Sequence, residues 1–297
     1  MTDVMTDAML CAPTHATRAT TCATWQRVGH AATLSLYDEL ALAPKPGLVT
    51  FNDSGSHTDM DAATFMRSLF ALRHFFARSA AAGANGAAFS ELERLGIAAE
   101  QRMLVATGGV NTHRGAIFTL GLLCASVGAA AARLRSPPAD APAHVPSAAT
   151  NRPRLDAALL RATLLAHWGS ALRTRAQRGA GMEAAAGFPT LFDCAAPALS
   201  AARQQGWSER DAHLQTLFQV MAVLDDTNLI HRGGPAGLRF AQAAARDFLG
   251  AGGVQRPDAL QHAASIHHAF VARRLSPGGS ADLLAGACLI ERFGALR

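Results

Sequence analysis

Lysine is almost missing: of 27 basic residues in a chain of 297, Lys45 is the single lysine and all the others are arginine. A chain that otherwise uses only arginine has a lysine where a compact point charge differs in effect from a planar fork. Alternating runs of Val, Ile and Thr are nearly absent, which excludes a β-sandwich or barrel. Aromatics are scarce at 6%, and charged residues at 16%, so the helices must pack through small side chains. The five cysteines, Cys11, Cys22, Cys124, Cys194 and Cys288, form no C-x-x-C pair. That excludes a disulfide frame or a zinc knuckle and fits buried thiols in a reducing, cytoplasmic setting. The first 24 residues have neither a basic start nor a continuous apolar stretch, so they do not read as a signal peptide.

Function signatures are lacking as well. There is no G-x-x-x-x-G-K-[ST], strand-linked G-x-G-x-x-G, H-E-x-x-H or G-x-S-x-G. The formal charge is +5, yet no run of arginines forms a basic stripe, so the charge fits a polyphosphate ligand rather than nucleic acid. Residues 115–132 are uncharged, but Gly, Ala, Ser and Thr dilute them, and a buried central helix is expected rather than a membrane span.

What is present is helix-forming. Apolar residues make up 49% of the chain, much of it alanine, the best helix former. Phe65, Leu69, Leu72 and Phe76 recur at helical spacing. The pattern predicts an all-α protein with helices near 25–43, 60–82, 90–107, 115–134, 154–176, 195–205, 209–224, 236–250, 257–274 and 280–294. Residues 1–24 read as a flexible N-terminal segment and 25–297 as one helical domain. It is interrupted at 136–153 by a mobile loop holding five of the 13 prolines.

Five polar, glycine-punctuated segments fall where helices begin or end, where backbone groups are free to bind ligands. Pro44-Lys45-Pro46-Gly47 is a rigid turn that would present an ammonium to a phosphate. In His57-Thr58-Asp59-Met60-Asp61, either aspartate can cap the next helix, and both with His57 could share a hard cation. Asn111, His113 and Arg114 in Gly108–Ala116 form an anion site at a helix start. Asp225 and Asp226 read as the end of an apolar helix, where the helix dipole disfavours negative charge. With Asn228 and the Arg232-Gly233-Gly234 turn they could hold Mg²⁺ between carboxylate and phosphate oxygens. Gly278, Gly279 and Ser280 open the last helix, with Ser280 as a helix cap and the glycines as a phosphate cradle. A related stretch, 179–189, has Glu183 as the only acid and ends in Gly187-Phe188-Pro189.

By the ordered set PKPGLV, HTDMD, GVNTHRGAIF, DDTNLIHRGG and LSPGGSADLLA, the chain resembles the triphosphoribosyl-dephospho-CoA synthase family over about residues 30–293. The resemblance implies an enzyme that takes ATP and 3'-dephospho-CoA, releases adenine, and makes the precursor of the prosthetic group of an acyl carrier protein, attached there by another enzyme. Ala184–Pro189 looks more like the malonate decarboxylase branch than the citrate lyase one. Where the family has Arg-Gly-Glu, this chain has Gly181-Met182-Glu183, so an arginine contact is lost or supplied by Arg178. On this resemblance Asp225 and Asp226, supported by Asn228, are assigned to Mg²⁺ or its waters. Lys45, Arg114, Arg232, Gly278, Gly279 and Ser280 are assigned to phosphate, and Asn111 and His113 to orienting ATP. Glu183, then Asp59, are expected as the base, with Asp226 also catalytic. Two alternatives remain: a prenyl-synthase type of diphosphate enzyme, and a non-catalytic nucleotide- or CoA-binding protein. A homo-oligomer is left open.

Overall fold

The helices follow from where apolar stripes and caps coincide. In the computed structural model, which describes residues 15–135, 155–176 and 179–295, no strand occurs among the described residues. The elements are α1 (His15–Ala41), α2 (Ala62–Ala84), α3 (Phe89–Thr107), α4 (Arg114–Arg135), α5 (Ala157–Arg175), α6 (Ala180–Ala185), a π-helical turn (Thr190–Ala195), α7 (Ala196–Gln204), α8 (Glu209–Val223), α9 (Thr227–Gly250), a 3₁₀ turn (Gly253–Gln255), α10 (Ala259–Ala272) and α11 (Gly278–Ala295). They form one all-α domain.

Helix α4 is the axis. Its uncharged stretch is buried almost continuously from Ala116 to Ala130, on every face. Although α4 is long and apolar enough to cross a membrane, 78% of its apolar 18-residue stretch is buried inside the protein, as in a core helix. Helix α2 lies across it with Leu69, Leu72 and Phe76 buried, the stripe read from the sequence. The two backbones touch: a Cβ at Gly83 would collide with the carbonyl of Ala125, and one at Gly128 with that of Ala80. Small residues here bring helices closer than side chains would otherwise allow, which is how so few aromatics still fill a core. Helix α11 also packs against α4, and against α1, α8 and α7.

Two helix starts differ from expectation. Helix α1 starts at His15, inside the segment expected to be flexible. Residues 1–14 and the Pro-rich loop lie outside the described residues. Helix α9 starts at Thr227, nine residues before the expected 236, because its Gly234-Pro235 pair kinks the helix rather than ending it. Gly234 leaves helical geometry at φ 61°, and Pro235 has no N–H to donate. The Asp225-Asp226 pair therefore opens α9 instead of terminating α8, and the dipole argument reverses sign: the acid sits at a positive helix end.

Candidate functional site

The other four polar segments converge on the fifth, at the start of α11, and a Cβ at Gly47 in the first of them would collide with the Leu275 carbonyl. Ser56 Oγ donates to the Leu275 carbonyl at 2.6 Å. His57 Nε2 and Ser276 Oγ are 2.9 Å apart. Arg232 Nη1 reaches the Arg274 carbonyl at 3.3 Å. Ser280 N and Oγ donate to Asp226 Oδ2 at 2.8 and 3.0 Å. Gly115, opening α4, is pressed so closely on Asp282 that a Cβ there would collide with its carboxylate.

Between these segments lies a cleft with two lobes. One, of about 310 Å³, includes His57, Asp59, His113, His231, Arg232 and Ser276 in its wall. The other, of about 470 Å³, is bounded by Gly179–Gly181, Glu183, Asp225, Asp226 and the apolar side chains of Phe118, Leu224 and Leu283. Asn111, Arg114, Gly115, Asn228 and Asp282 line both lobes, so the two cavities adjoin at a waist made by those five residues.

The first lobe is basic at Arg232, although Glu39, Asp59 and Asp282 also stand in its wall. Arg232 is held by the carbonyls of Ser56 and Arg274 and by His57 Nδ1 at 3.0 Å, with no carboxylate partner among the described residues. Its charge is therefore positioned but not neutralised. Burial, and then the Arg232 charge, push the His57 pKa down to about 4, so the imidazole is neutral at pH 7, accepting from Arg232. His113 is buried against Ser68 Oγ at 2.6 Å, and its Nε2 has no hydrogen-bond partner. Burial, and next Lys45, lower its pKa to about 3. The unmatched Nε2 has almost no accessible surface, so it meets a ligand only if neighbouring side chains move. Arg114 forms an ion pair with Glu100, so its charge is partly spent. Asn111 Oδ1 accepts from Arg114 N at 3.1 Å, capping α4.

Several sequence expectations need correction. Lys45 presents nothing to solvent or to the cleft: it is 1% exposed, its Nζ is 2.5 Å from Glu39 Oε1 and 2.7 Å from the Glu39 carbonyl. Desolvation lowers its pKa against the opposing pull of Glu39. Its turn is also tied down by His267 Nδ1 to the Lys45 carbonyl at 2.7 Å. The rigid turn was legible; that it folds inward was not.

Asp225 and Asp226 do not act as a matched pair. Asp225 is exposed in the wider lobe, whereas Asp226 is 1% exposed, with Oδ1 accepting from Asn228 N at 2.9 Å and Oδ2 from Ser280. One carboxylate thus caps two helices, its own α9 and α11. Burial raises its pKa, and the hydrogen bonds from Ser280 and Asn228 oppose that. Ser280 is not itself the cap it was expected to be, because α11 already begins at Gly278. Gly279 leaves room for Asp226, whose carboxylate would be 3.1–3.2 Å from a Cβ there, so this glycine serves helix packing as well as the cleft wall. Gly278 similarly faces Asn228.

Glu183 lines the wider lobe, but its carboxylate is tied to Thr190, accepting from Oγ1 at 2.9 Å and N at 3.2 Å. Asp59 is 61% exposed, 3.8 Å from His57; Asp61, not Asp59, caps α2 through Thr64 N at 2.8 Å. Arg178, suggested as a substitute for the missing family arginine, lies outside the described residues. Trp168 is core, its Nε1 donating to Ala87 O.

Sequence reasoning passed over Glu39, His231 and above all Asp282. The signal for Asp282 was available as a lone acid between alanine and two leucines in a helix, an arrangement unfavourable for a charge unless function requires it.

The family model for ATP:dephospho-CoA triphosphoribosyl transferases matches residues 25–297. A Pectobacterium atrosepticum protein named 2-(5''-triphosphoribosyl)-3'-dephosphocoenzyme-A synthase is 40% identical over 90% of this chain and 88% of its own length. Proteins from Acinetobacter calcoaceticus (37% identical, covering 84% of this chain and 85% of that protein) and Salmonella gallinarum (39%, 87% and 88%) bear the same name with the prefix "probable". No solved structure matches this chain.

Proposed function

The chain belongs to the ATP:dephospho-CoA triphosphoribosyl transferase family and has 2-(5''-triphosphoribosyl)-3'-dephospho-CoA synthase activity, and from that premise we propose that its two substrates occupy the two lobes and react at the waist. The observation that carries this is the set of residues common to both lobes, since a hydroxyl on one substrate and a ribose carbon on the other must come within bonding distance at one place. The triphosphate of ATP belongs in the basic lobe, where Arg232 offers a charge without a carboxylate partner and His231, Arg114 and His113 add donors or acceptors. The acceptor nucleotide belongs in the wider lobe, whose apolar wall suits a purine face.

Mg²⁺ is part of the same proposal. No group of three His, Cys, Asp or Glu residues able to hold a metal occurs among the described residues. The residues present fit the mode in which Mg²⁺ is bound by one or two carboxylates together with substrate phosphates. Asp225, exposed and without a hydrogen bond or ion pair among the described residues, would be the carboxylate, with Asn228 beside it. When bound, the ion would offset triphosphate charge and help orient it.

The product would serve the malonate decarboxylase carrier protein, in the cytoplasm, after transfer by a separate enzyme. The Ala184–Pro189 stretch supports that branch, and isolated cysteines support that compartment. The test incubates the protein with ATP, Mg²⁺ and 3'-dephospho-CoA and follows free adenine and the triphosphoribosylated adduct by mass spectrometry, with Arg232→Ala alongside. A raised KM for ATP in that variant is expected, and an unchanged one removes the triphosphate from the basic lobe. Deleting the gene should stop malonate decarboxylation, and loss of citrate cleavage instead would assign the other branch.

A further inference from the structure

We propose that Asp282 is the catalytic carboxylate of this transfer, accepting the proton of the attacking ribose hydroxyl of 3'-dephospho-CoA at the waist of the cleft. The proposal rests on the two-lobe reading above and adds the reacting group to it.

The assignment follows by comparing every acid that lines the cleft. Glu39 is bound to Lys45. Glu183 spends both oxygens on Thr190. Asp226 caps α9 and α11. Asp59 is mostly in solvent beside His57. Asp225 has no partner but borders the wider lobe alone. Asp282 borders both lobes and makes no hydrogen bond or ion pair with a described residue. It is set on the first turns of α11, a helix buried along most of its length, so its position is rigid. Gly115 is the only kind of residue that leaves space for it, because any Cβ at 115 would overlap the carboxylate.

The chemistry balances without a further reactant. The hydroxyl oxygen of the acceptor forms a bond to C1' of the ATP ribose, and the C1'–N9 bond breaks with its electron pair going to adenine. The proton that Asp282 takes from the hydroxyl equals the one adenine gains as it leaves as a neutral base, so the enzyme returns to its starting state. A carboxylate beside C1' also stabilises the positive charge that develops there, as in glycoside cleavage. Burial, with Glu39 and Asp226 adding repulsion, holds the Asp282 carboxyl well above the usual carboxylate range. That makes the carboxylate a stronger base once it is deprotonated.

The experiment compares Asp282→Asn, Asp282→Glu and the unaltered enzyme, reading adenine release, KM for each substrate and melting temperature. Expected is a loss in kcat of roughly 10²- to 10⁴-fold for Asp282→Asn, with ATP and dephospho-CoA still binding. The melting temperature should be no lower than that of the unaltered protein, since no hydrogen bond is removed. Partial activity is expected in Asp282→Glu. Turnover by Asp282→Asn within a few-fold of the unaltered enzyme overturns the assignment, as does a loss of activity matched by a collapse in melting temperature in both variants, which would make Asp282 structural. If the unaltered protein itself releases no adenine, the two-lobe transfer reading fails first, and that result is distinct from an active Asp282→Asn.

Discussion

Two stretches of this chain look alike in sequence and behave in opposite ways. Pro44–Val49 and Leu275–Asp282 are both proline- and glycine-rich, both adjoin a long helix, and each includes one ionisable side chain. In the first, the charge is turned inward and matched: Lys45 is enclosed with Glu39 at 2.5 Å. In the second, the ionisable group is left without a partner, with Asp282 reaching the junction of two cavities. An internal ion pair specifies architecture, whereas an unpaired carboxylate in a cavity wall is a strained arrangement that folding alone would not favour. The difference separates scaffold from chemistry within one set of motifs.

The comparison breaks most easily at Lys45. Replacing it by Met leaves the Glu39 carboxylate buried without a partner and should lower stability by about 3–5 kcal/mol. Chemical denaturation measures it, and KM for ATP in the protein that remains folded should be unchanged. A variant with normal stability but weakened ATP binding would show that Lys45 reaches the phosphates after all. Replacing both members, Glu39→Leu with Lys45→Met, should recover much of the loss, since a well-packed apolar pair can match a buried ion pair.

Gly115→Ala tests the other side. The added methyl group must displace Asp282, and a shift on the order of 1 Å in a reacting group reduces turnover by about 100-fold. Circular dichroism should show the helices unchanged, and activity equal to that of the unaltered enzyme would mean that the carboxylate's position is not critical.

Asp226→Ala removes the acceptor for Asn228 N and for both Ser280 groups. Unmade hydrogen bonds of this kind should lower stability by about 1–3 kcal/mol, seen as an earlier urea midpoint. If stability holds while Mg²⁺ dependence disappears, Asp226 belongs with the metal rather than with the two helix ends.

The most gradual effect is acid titration of the basic lobe. His113 has a folded pKa of about 3 against an ordinary value of 6.5, so the unfolded chain binds its proton first. Its contribution is fully present above pH 6.5 and falls as pH drops from there toward 3, at about 1.4 kcal/mol per unit. The melting temperature should be level between pH 7 and 8 and decline below 6.5. In His113→Gln that decline should be shallower, and an identical slope would remove His113 as its source.

Helices were legible because their signal is local: the apolar period of α2, the acid at Asp61 and the uncharged run of α4 lie within a few turns of each other. Ends were less so. The Gly234-Pro235 pair reads as a stop, yet α9 continues through it with a kink, because packing of Leu229 and Gly237 on both sides outweighs one lost backbone bond. All five polar segments were visible as well, since glycine, proline and uncommon polar clusters stand out against an alanine-rich background.

The sequence by itself determined the all-α class, most helix positions, the polar segments that build the cleft and, through their combination, the family. Only the tertiary structure decided which charge each segment hides and which it leaves available. That depends on partners far apart in the chain, such as Asp226 with Ser280 and Gly115 with Asp282, and no local pattern carries it. A carboxylate's role is set by whether its oxygens are already satisfied by hydrogen bonds, and the same aspartate residue type serves as a double helix cap at 226 and stands unpartnered at 282.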